Sequence, residues 1–354
     1  MSKHPFLLNI YVELSLKIPR VFLPICSLDT TIIMIYNNYI KYREHNFNAK
    51  GVNMKIMITA EATSDYPERL LSDNITIFPM GYTVNGVAYD GVETKLSPKE
   101  FYDACRNAKT KEDLPQTTMI TAYQAQEYFR PILQQGYDII HIGFAQALSG
   151  TYDQMCMAAK ELSAEFPDRK ITIVESSCAA FVQGLLVWYV DQKLQSGASY
   201  DELVAYAEDL KDHCAGYFTI DDMKHLYRTG RASKTQAFLG EALQIKPILY
   251  VNKVGKLIPI SKQISHKKAM KAMLEILDRK MLPPSEQKLV AVMHADALED
   301  AQLLEKTIKE KYNFERTEIV DVGPVIGTHV GAGMLAFIFL SKDKIEPNDK
   351  SMNE

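Results

Sequence analysis

From residue 54 onward, short apolar runs alternate with amphipathic stretches. The runs at 55–59, 75–80, 138–142 and 171–174 are rich in Ile and bounded by polar or turn residues, which predicts buried strands. Between and after them, apolar positions recur at helical spacing over 98–107, 122–135, 151–165 and 179–196. Strands alternating with helices imply a parallel sheet covered on both faces. Local signals agree. Ser97-Pro98-Lys99-Glu100 is a capping box with proline at the first helical position, and Ser199-Tyr200-Asp201-Glu202 opens a further helix to about 213. Pro131 stands inside a helical pattern and is expected to kink or restart that helix.

The pattern then changes. Strands are predicted at 216–220, 246–251, 256–262, 288–293, 317–321 and 334–340, with helices at 223–228, 233–243, 265–280 and 298–312. The turn Asn252-Lys253-Val254-Gly255-Lys256 joins two strands as a hairpin, so this half is mixed rather than purely parallel. The expected fold is α/β in two domains: a Rossmann-like parallel sheet with helices on both faces over 54–214, and a mixed-sheet α/β domain over 215–341. Residues 1–53 lack clean periodicity and are expected to be an extension or an over-long start, and 342–354 a disordered polar tail.

Composition narrows the function classes. Of 354 residues, 47% are hydrophobic and 24% charged, enough apolar material for a large core. A net charge of −4 argues against nucleic acid or an anionic membrane as partner. Cys26, Cys105, Cys156, Cys178 and Cys214 show no paired or metal-ligand spacing, which fits a reducing cytoplasm. No apolar stretch reaches membrane-spanning length. Glu13, Lys17 and Arg20 break the N-terminal apolar run, which argues against a signal peptide. No lipid-attachment signal precedes Cys26.

Four segments cluster hydroxyls and glycines where strands should end, the place where open α/β sheets bind ligands. Leu148-Ser149-Gly150-Thr151-Tyr152 opens a helix, where free backbone N–H groups and two hydroxyls suit an anion. Its plainer explanation is a helix cap at Ser149. Pro115-Gln116-Thr117-Thr118-Met119-Ile120-Thr121 is again hydroxyl-rich, or else an ordinary loop capped by Thr121. The glycine-dense segment 323–333 carries one imidazole, His329, which suits an anion contact, a proton shuttle or a structural role. Thr229-Gly230-Arg231-Ala232-Ser233-Lys234 suits a phosphate, a partner or a simple turn. No phosphate loop, dinucleotide glycine fingerprint, metal-ligand set or nucleophile elbow is present.

In order and spacing, these segments together with Thr63-Ser64-Asp65-Tyr66-Pro67, Tyr89-Asp90-Gly91-Val92, Ile245-Lys246-Pro247-Ile248-Leu249 and His294-Ala295-Asp296-Ala297 resemble the DegV family over about 54–341. The resemblance implies a non-enzymatic, cytoplasmic lipid carrier. It would hold a long-chain fatty acid in a buried tunnel and present the carboxylate to a separate fatty acid kinase subunit for acyl-phosphate formation, as part of phospholipid metabolism. No cofactor is implied beyond the bound fatty acid. Thr117 or Thr118, Ser149 and His329 match the carboxylate-holding positions, with Gly150 and Thr151 beside them. Asp65 and Arg231 fall in loops expected to face the head group or the partner. The chain departs from the family at Thr118-Met119-Ile120-Thr121 and at Gln263-Ile264-Ser265-His266, where the family often has arginines, and the second departure bears on kinase docking. A chain of about fifteen carbons contributes roughly 10 kcal/mol at ~0.8 kcal/mol per buried CH₂, so the tail can dominate affinity. The rival function is a stand-alone hydrolase or phosphotransferase using Ser149 and His329, but no third triad member or nucleotide site is evident.

Overall fold

The structure, a computed structural model, describes residues 55–231 and 245–344, which fall within one compact unit, Lys50–Glu354. The expectations for 1–53, for a helix over 233–243 and for most of the polar tail lie outside the described residues.

Two large sheets organise the described chain. The first has the order β2-β1-β6-β7, built from β1 (Lys55–Glu61), β2 (Ile75–Phe78), β6 (Tyr137–Gly143) and β7 (Ile171–Glu175). All its pairings are parallel. The second has the order β10-β9-β8-β13-β11-β12, from β8 (Cys214–Thr219), β9 (Lys246–Val251), β10 (Leu257–Gln263), β11 (Val290–His294), β12 (Thr317–Asp321) and β13 (Leu335–Leu340). Only β11 and β12 pair in parallel there. The fold is thus mixed α/β, one sheet parallel and one mixed.

Helices α1 (Pro98–Asn107), α2 (Ala122–Gln134), α3 (Thr151–Glu165) and α5 (Tyr200–Leu210) have amphipathic sequences and half-buried faces. Helix α4 (Phe181–Gln195) differs, since residues 183–191 are all buried. A helix that is apolar all round must lie inside. It packs against β1 and β6 of one sheet and β8 and β13 of the other. Gly216 permits this approach, because a Cβ there would meet Val182 Cγ2 at 2.5 Å.

Strand β13 shows how the second sheet divides its residues. All six are buried, but Ala336, Ile338 and Leu340 join the core shared with α4, while Leu335, Phe337 and Phe339 join a second core. Side chains alternate faces with period two, so a strand covered on both sides reads as one apolar run. After a short helix, α6 (Met223–Arg228), that second core is covered by α7 (His266–Lys280) and α8 (Leu298–Lys311).

Three features depart from the sequence expectations. Helix α2 runs through Pro131, which lies in its last turn, where little helix follows to be disrupted. The short strands β3 (Tyr82–Val84), β4 (Val87–Tyr89) and β5 (Gln116–Thr117) form an unforeseen antiparallel sheet. An unforeseen helix, α9 (Pro324–Val330), fills the glycine-dense segment. Gly327 lets it pack on α1, since a Cβ would meet Tyr102 Oη at 2.7 Å and Phe101 Cε1 at 2.8 Å.

Candidate functional site

A cavity of about 340 Å³ opens beside the carboxyl ends of β1, β6 and β7 and runs between α4 and the second sheet. Its walls are mainly apolar. Phe144 and Leu148 follow β6, Ala179, Ala180 and Val182 come from α4 and its approach, and Gly216, Phe218, Ala336 and Ile338 come from β8 and β13. The last four are cross-strand partners, Gly216 with Ile338 and Phe218 with Ala336, so one face of the sheet supplies this wall. The approach to α4 is strained, with Ser177 at φ 51° and Ala180 at φ 55°. Non-glycine residues adopt such conformations only when their surroundings over-determine them.

Polar groups gather on other parts of the lining. Thr117, Thr118, Ser149, Gly150, Arg231 and His329 all line the cavity. Strand β5 places Thr117 by pairing it with Tyr82, and Thr121 caps α2 with Gln124 in a reciprocal capping box. Helix α9 places His329, whose Nε2 lies 3.2 Å from Thr117 Oγ1. The buried Nδ1 of His329 has no hydrogen-bond partner among the described residues. Burial, with Arg231 and His225 nearby, pushes the His329 pKa down to about 3, so the imidazole is neutral at physiological pH.

Ser149 precedes the N-cap of α3, Gly150. Its Oγ accepts the Thr151 N–H at 3.2 Å and lies 3.0 Å from Thr151 Oγ1. Thr151 is fully buried behind Ser149 and does not line the cavity. Arg231 is exposed and donates to Thr229 O at 2.6 Å.

Asp65 lies elsewhere. It lines a second cavity of about 630 Å³ with Tyr66, Arg69, Tyr102 and Asp321. Its Oδ1 accepts the Gly323 N–H at 2.9 Å, ahead of α9. Burial holds the Asp65 carboxyl well above the ordinary carboxylate range; the Gly323 hydrogen bond offsets part of this and Asp321 adds to it. At the other family departure, Ile264 is 67% exposed, and His266 Nε2 lies 2.5 Å from Asp221 Oδ1.

Sequence reasoning missed a buried polar chain behind the cavity wall. Thr63 lines the cavity and donates to Gln183 Oε1 at 3.0 Å. Gln183 Nε2 donates to Glu61 Oε2 at 2.8 Å, and Glu61 Oε1 lies 3.1 Å from His141 Nε2. His141 Nδ1 lies 2.9 Å from Thr59 Oγ1. The available signal was a histidine inside Ile139-Ile140-His141-Ile142 and a glutamate ending an otherwise apolar strand. Lys344 was missed too. This lining residue donates to Ser177 O and Lys211 O at 3.0 Å each and lies 3.2 Å from Cys178 Sγ.

Among the described residues, no His/Cys/Asp/Glu group suits a metal ion, and no helix is long and apolar enough to cross a membrane.

Known proteins share this architecture. Residues 55–342 match the model of the DegV family of uncharacterised proteins. A DegV domain-containing protein of Clostridium perfringens is 36% identical over 292 residues, covering 82% of this chain and 99% of that protein. The crystal structure of DegV from Bacillus subtilis, a fatty acid binding protein, superposes with a TM-score of 0.68 at 26% identity, covering 82% of this chain and all of that one. A DegV family protein from Thermus thermophilus, described for its fatty acid binding, gives 0.71 at 23% identity, covering 81% and 100% of the two chains.

Proposed function

The chain belongs to the DegV family, and on that premise we propose that it is a fatty-acid carrier. The acyl tail occupies the apolar cavity, and the carboxyl end lies at the polar wall made by Thr117, Thr118, Ser149, Gly150 and His329. The observation that carries this function is the convergence of those residues, from β5, the α3 N-terminus and α9, on one apolar cavity. Thr151 supports Ser149 from behind, and Arg231 stands at the solvent side. The carrier needs no cofactor of its own. The fatty-acid ligands of the Bacillus and Thermus proteins support the same ligand class here.

We further propose that the carrier presents the carboxyl group to a separate kinase subunit. Support comes from the family resemblance and from the exposed apolar side chains of Met119, itself a lining residue, Tyr123 and Met157. A stand-alone hydrolase is less well supported. A nucleophilic serine needs a base within hydrogen-bond reach, yet Ser149 bonds Thr151 and His329 bonds Thr117.

The test is mass spectrometry of organic extract from the purified protein, with titration of the delipidated chain. A fatty acid at about one per chain is expected. Repeated recovery of empty protein that also fails to bind palmitate or oleate overturns the carrier function. Acyl-phosphate formation from the loaded carrier, with ATP and a purified kinase subunit, tests the presentation step.

A further inference from the structure

The polar chain behind the cavity wall has a fixed direction. Glu61, His141, Gln183 and Thr59 are fully buried, and Thr63 is 3% exposed. The Gln183 amide nitrogen donates to Glu61 Oε2 and to Ile142 O, both at 2.8 Å. A carbonyl and an ionised carboxylate only accept hydrogen bonds. Burial opposes the Glu61 charge, but the His141 imidazole and the hydrogen bonds from His141 and Gln183 outweigh it and hold its pKa below the ordinary value. The amide is therefore locked with Oε1 toward Thr63, and Thr63 Oγ1 gives its only proton to that oxygen. The turn Ala62–Ser64 that carries Thr63 packs against α9, the helix of His329, so Thr63 belongs to the head-group end of the cavity, where its hydroxyl offers lone pairs and no hydrogen.

We propose that Thr63 is an obligate acceptor in the cavity wall that selects a head group carrying a proton, so that the fatty acid is held as the neutral acid and takes up a proton on binding. This rests on the carrier function above and specifies the protonation state of its ligand.

A carboxylate offers only lone pairs and would meet those of Thr63, whereas a carboxylic acid or an alcohol offers a proton. Burial favours the neutral acid as well. Among the described residues, the titratable groups around the cavity direct little opposing charge at the ligand. His329 is neutral. Burial raises the Cys178 and Cys214 thiols. Arg231 is exposed. Lys344 is buried, but its donors are directed at Ser177 O, Lys211 O and Cys178 Sγ. Behind Thr63, the Glu61 carboxylate faces His141 and Gln183 rather than the ligand.

The test is calorimetry on the delipidated full chain, in two buffers of different ionisation enthalpy, with palmitic acid, 1-hexadecanol and methyl palmitate as probes. Above about pH 7 an aqueous carboxylic acid is ionised, so uptake of about one proton per acid bound is expected, and none with the alcohol. Acid and alcohol should both bind more tightly than the ester. Thr63→Val should weaken acid and alcohol about fivefold to tenfold and reduce proton uptake; Thr63→Ser should restore both. The proton count on the wild-type chain decides the matter even where a variant folds poorly. Acid binding without proton uptake overturns this inference and leaves the carrier function standing. Failure of all three probes to bind overturns both.

Discussion

His329 Nε2 and Thr117 Oγ1 lie 3.2 Å apart across 212 residues of sequence. The contact joins a two-residue edge strand to a seven-residue helix. Neither element is stable alone, so the bond reports how well the assembled fold places the polar wall.

Removing a polar group from that wall should weaken the ligand without unfolding the chain. Thr117→Ala, Ser149→Ala and His329→Phe are each expected to lower palmitate affinity by about 1–2 kcal/mol, roughly fivefold to thirtyfold. The tail still supplies most of the affinity. With the His329 pKa pushed down to about 3, the His329 imidazole contributes no titration step to binding between about pH 5 and 8. Titrations of each variant with the acid and its methyl ester check this. Unchanged discrimination in all three variants would place the head group elsewhere.

Blocking the apolar wall should do the opposite, striking the tail and sparing the head. Ala336 is 2% exposed and lines a cavity of about 340 Å³. In Ala336→Phe the added ring is expected to fill cavity space, so the empty protein melts no lower than wild type. Palmitate affinity should fall by about tenfold or more, and decanoate affinity by less, because each displaced CH₂ is worth about 0.8 kcal/mol. Equal losses for both chain lengths would mean that the tail does not pass Ala336.

Asp65 gives a prediction about pH. Its Oδ2 is buried without a hydrogen-bond partner among the described residues, and its carboxyl is held well above the ordinary range. The unfolded chain releases this proton near pH 4, while the folded chain keeps it. Above that pH the unfolded state binds fewer protons, so the contribution of Asp65 to stability is complete below about pH 4 and is lost as pH rises through the folded value. Asp65→Asn keeps an oxygen for Gly323 and tolerates the left-handed backbone at φ 43°. Its melting temperature, relative to wild type, should climb between about pH 4 and 8, worth about 1–2 kcal/mol at the upper end. A constant difference across that range would show that Asp65 ionises normally in the folded protein.

The sequence made the large elements legible because their cores are deep. Helix α1 begins and ends where Ser97-Pro98-Lys99-Glu100 and the apolar spacing place it, and β9 and β12 fall on their predicted residues. The elements that build the polar wall were harder to read. Strand β5 has two residues and owes its existence to Tyr82 and Thr83 opposite it. Helix α9 is rich in small and β-branched residues and has weak propensity, so its packing through Gly327 onto Tyr102 and Phe101 must favour it. Hydroxyl-rich segments flagged Thr117, Thr118 and Ser149 before the structure did, and the cavity brings them together. Gln183 was hidden because a polar residue in an apolar helix gives no hint of its partners, which lie 120 and 122 positions away.

The Glu61–His141 pair should reveal itself in a double-mutant cycle. Both side chains are fully buried, their polar atoms 3.1 Å apart. His141 also lies against Phe78 and Phe129, with ring centroids 5.8 and 5.4 Å away. Replacing His141 with Phe fills similar volume but leaves Glu61 without its main partner, and breaking a buried pair in this way costs about 3–5 kcal/mol. Glu61→Leu removes the carboxylate but strands His141 and frees Gln183 from one of its two acceptors, so it should also destabilise. The double variant removes both polar groups and should be more stable than the sum of the single losses predicts, by about 2 kcal/mol or more. The pH dependence has a definite sign. The folded pKa of Glu61 is lowered, so its stabilisation is present above the unfolded value of about 4.3 and is lost as pH falls through the lower folded value. Wild type should therefore lose stability on acidification in that window, and His141→Phe should lose less of it. Chemical denaturation of the four proteins from about pH 3 to 7 measures both effects. Additive single losses with parallel acid profiles would mean that the two residues are buried side by side without acting as a pair.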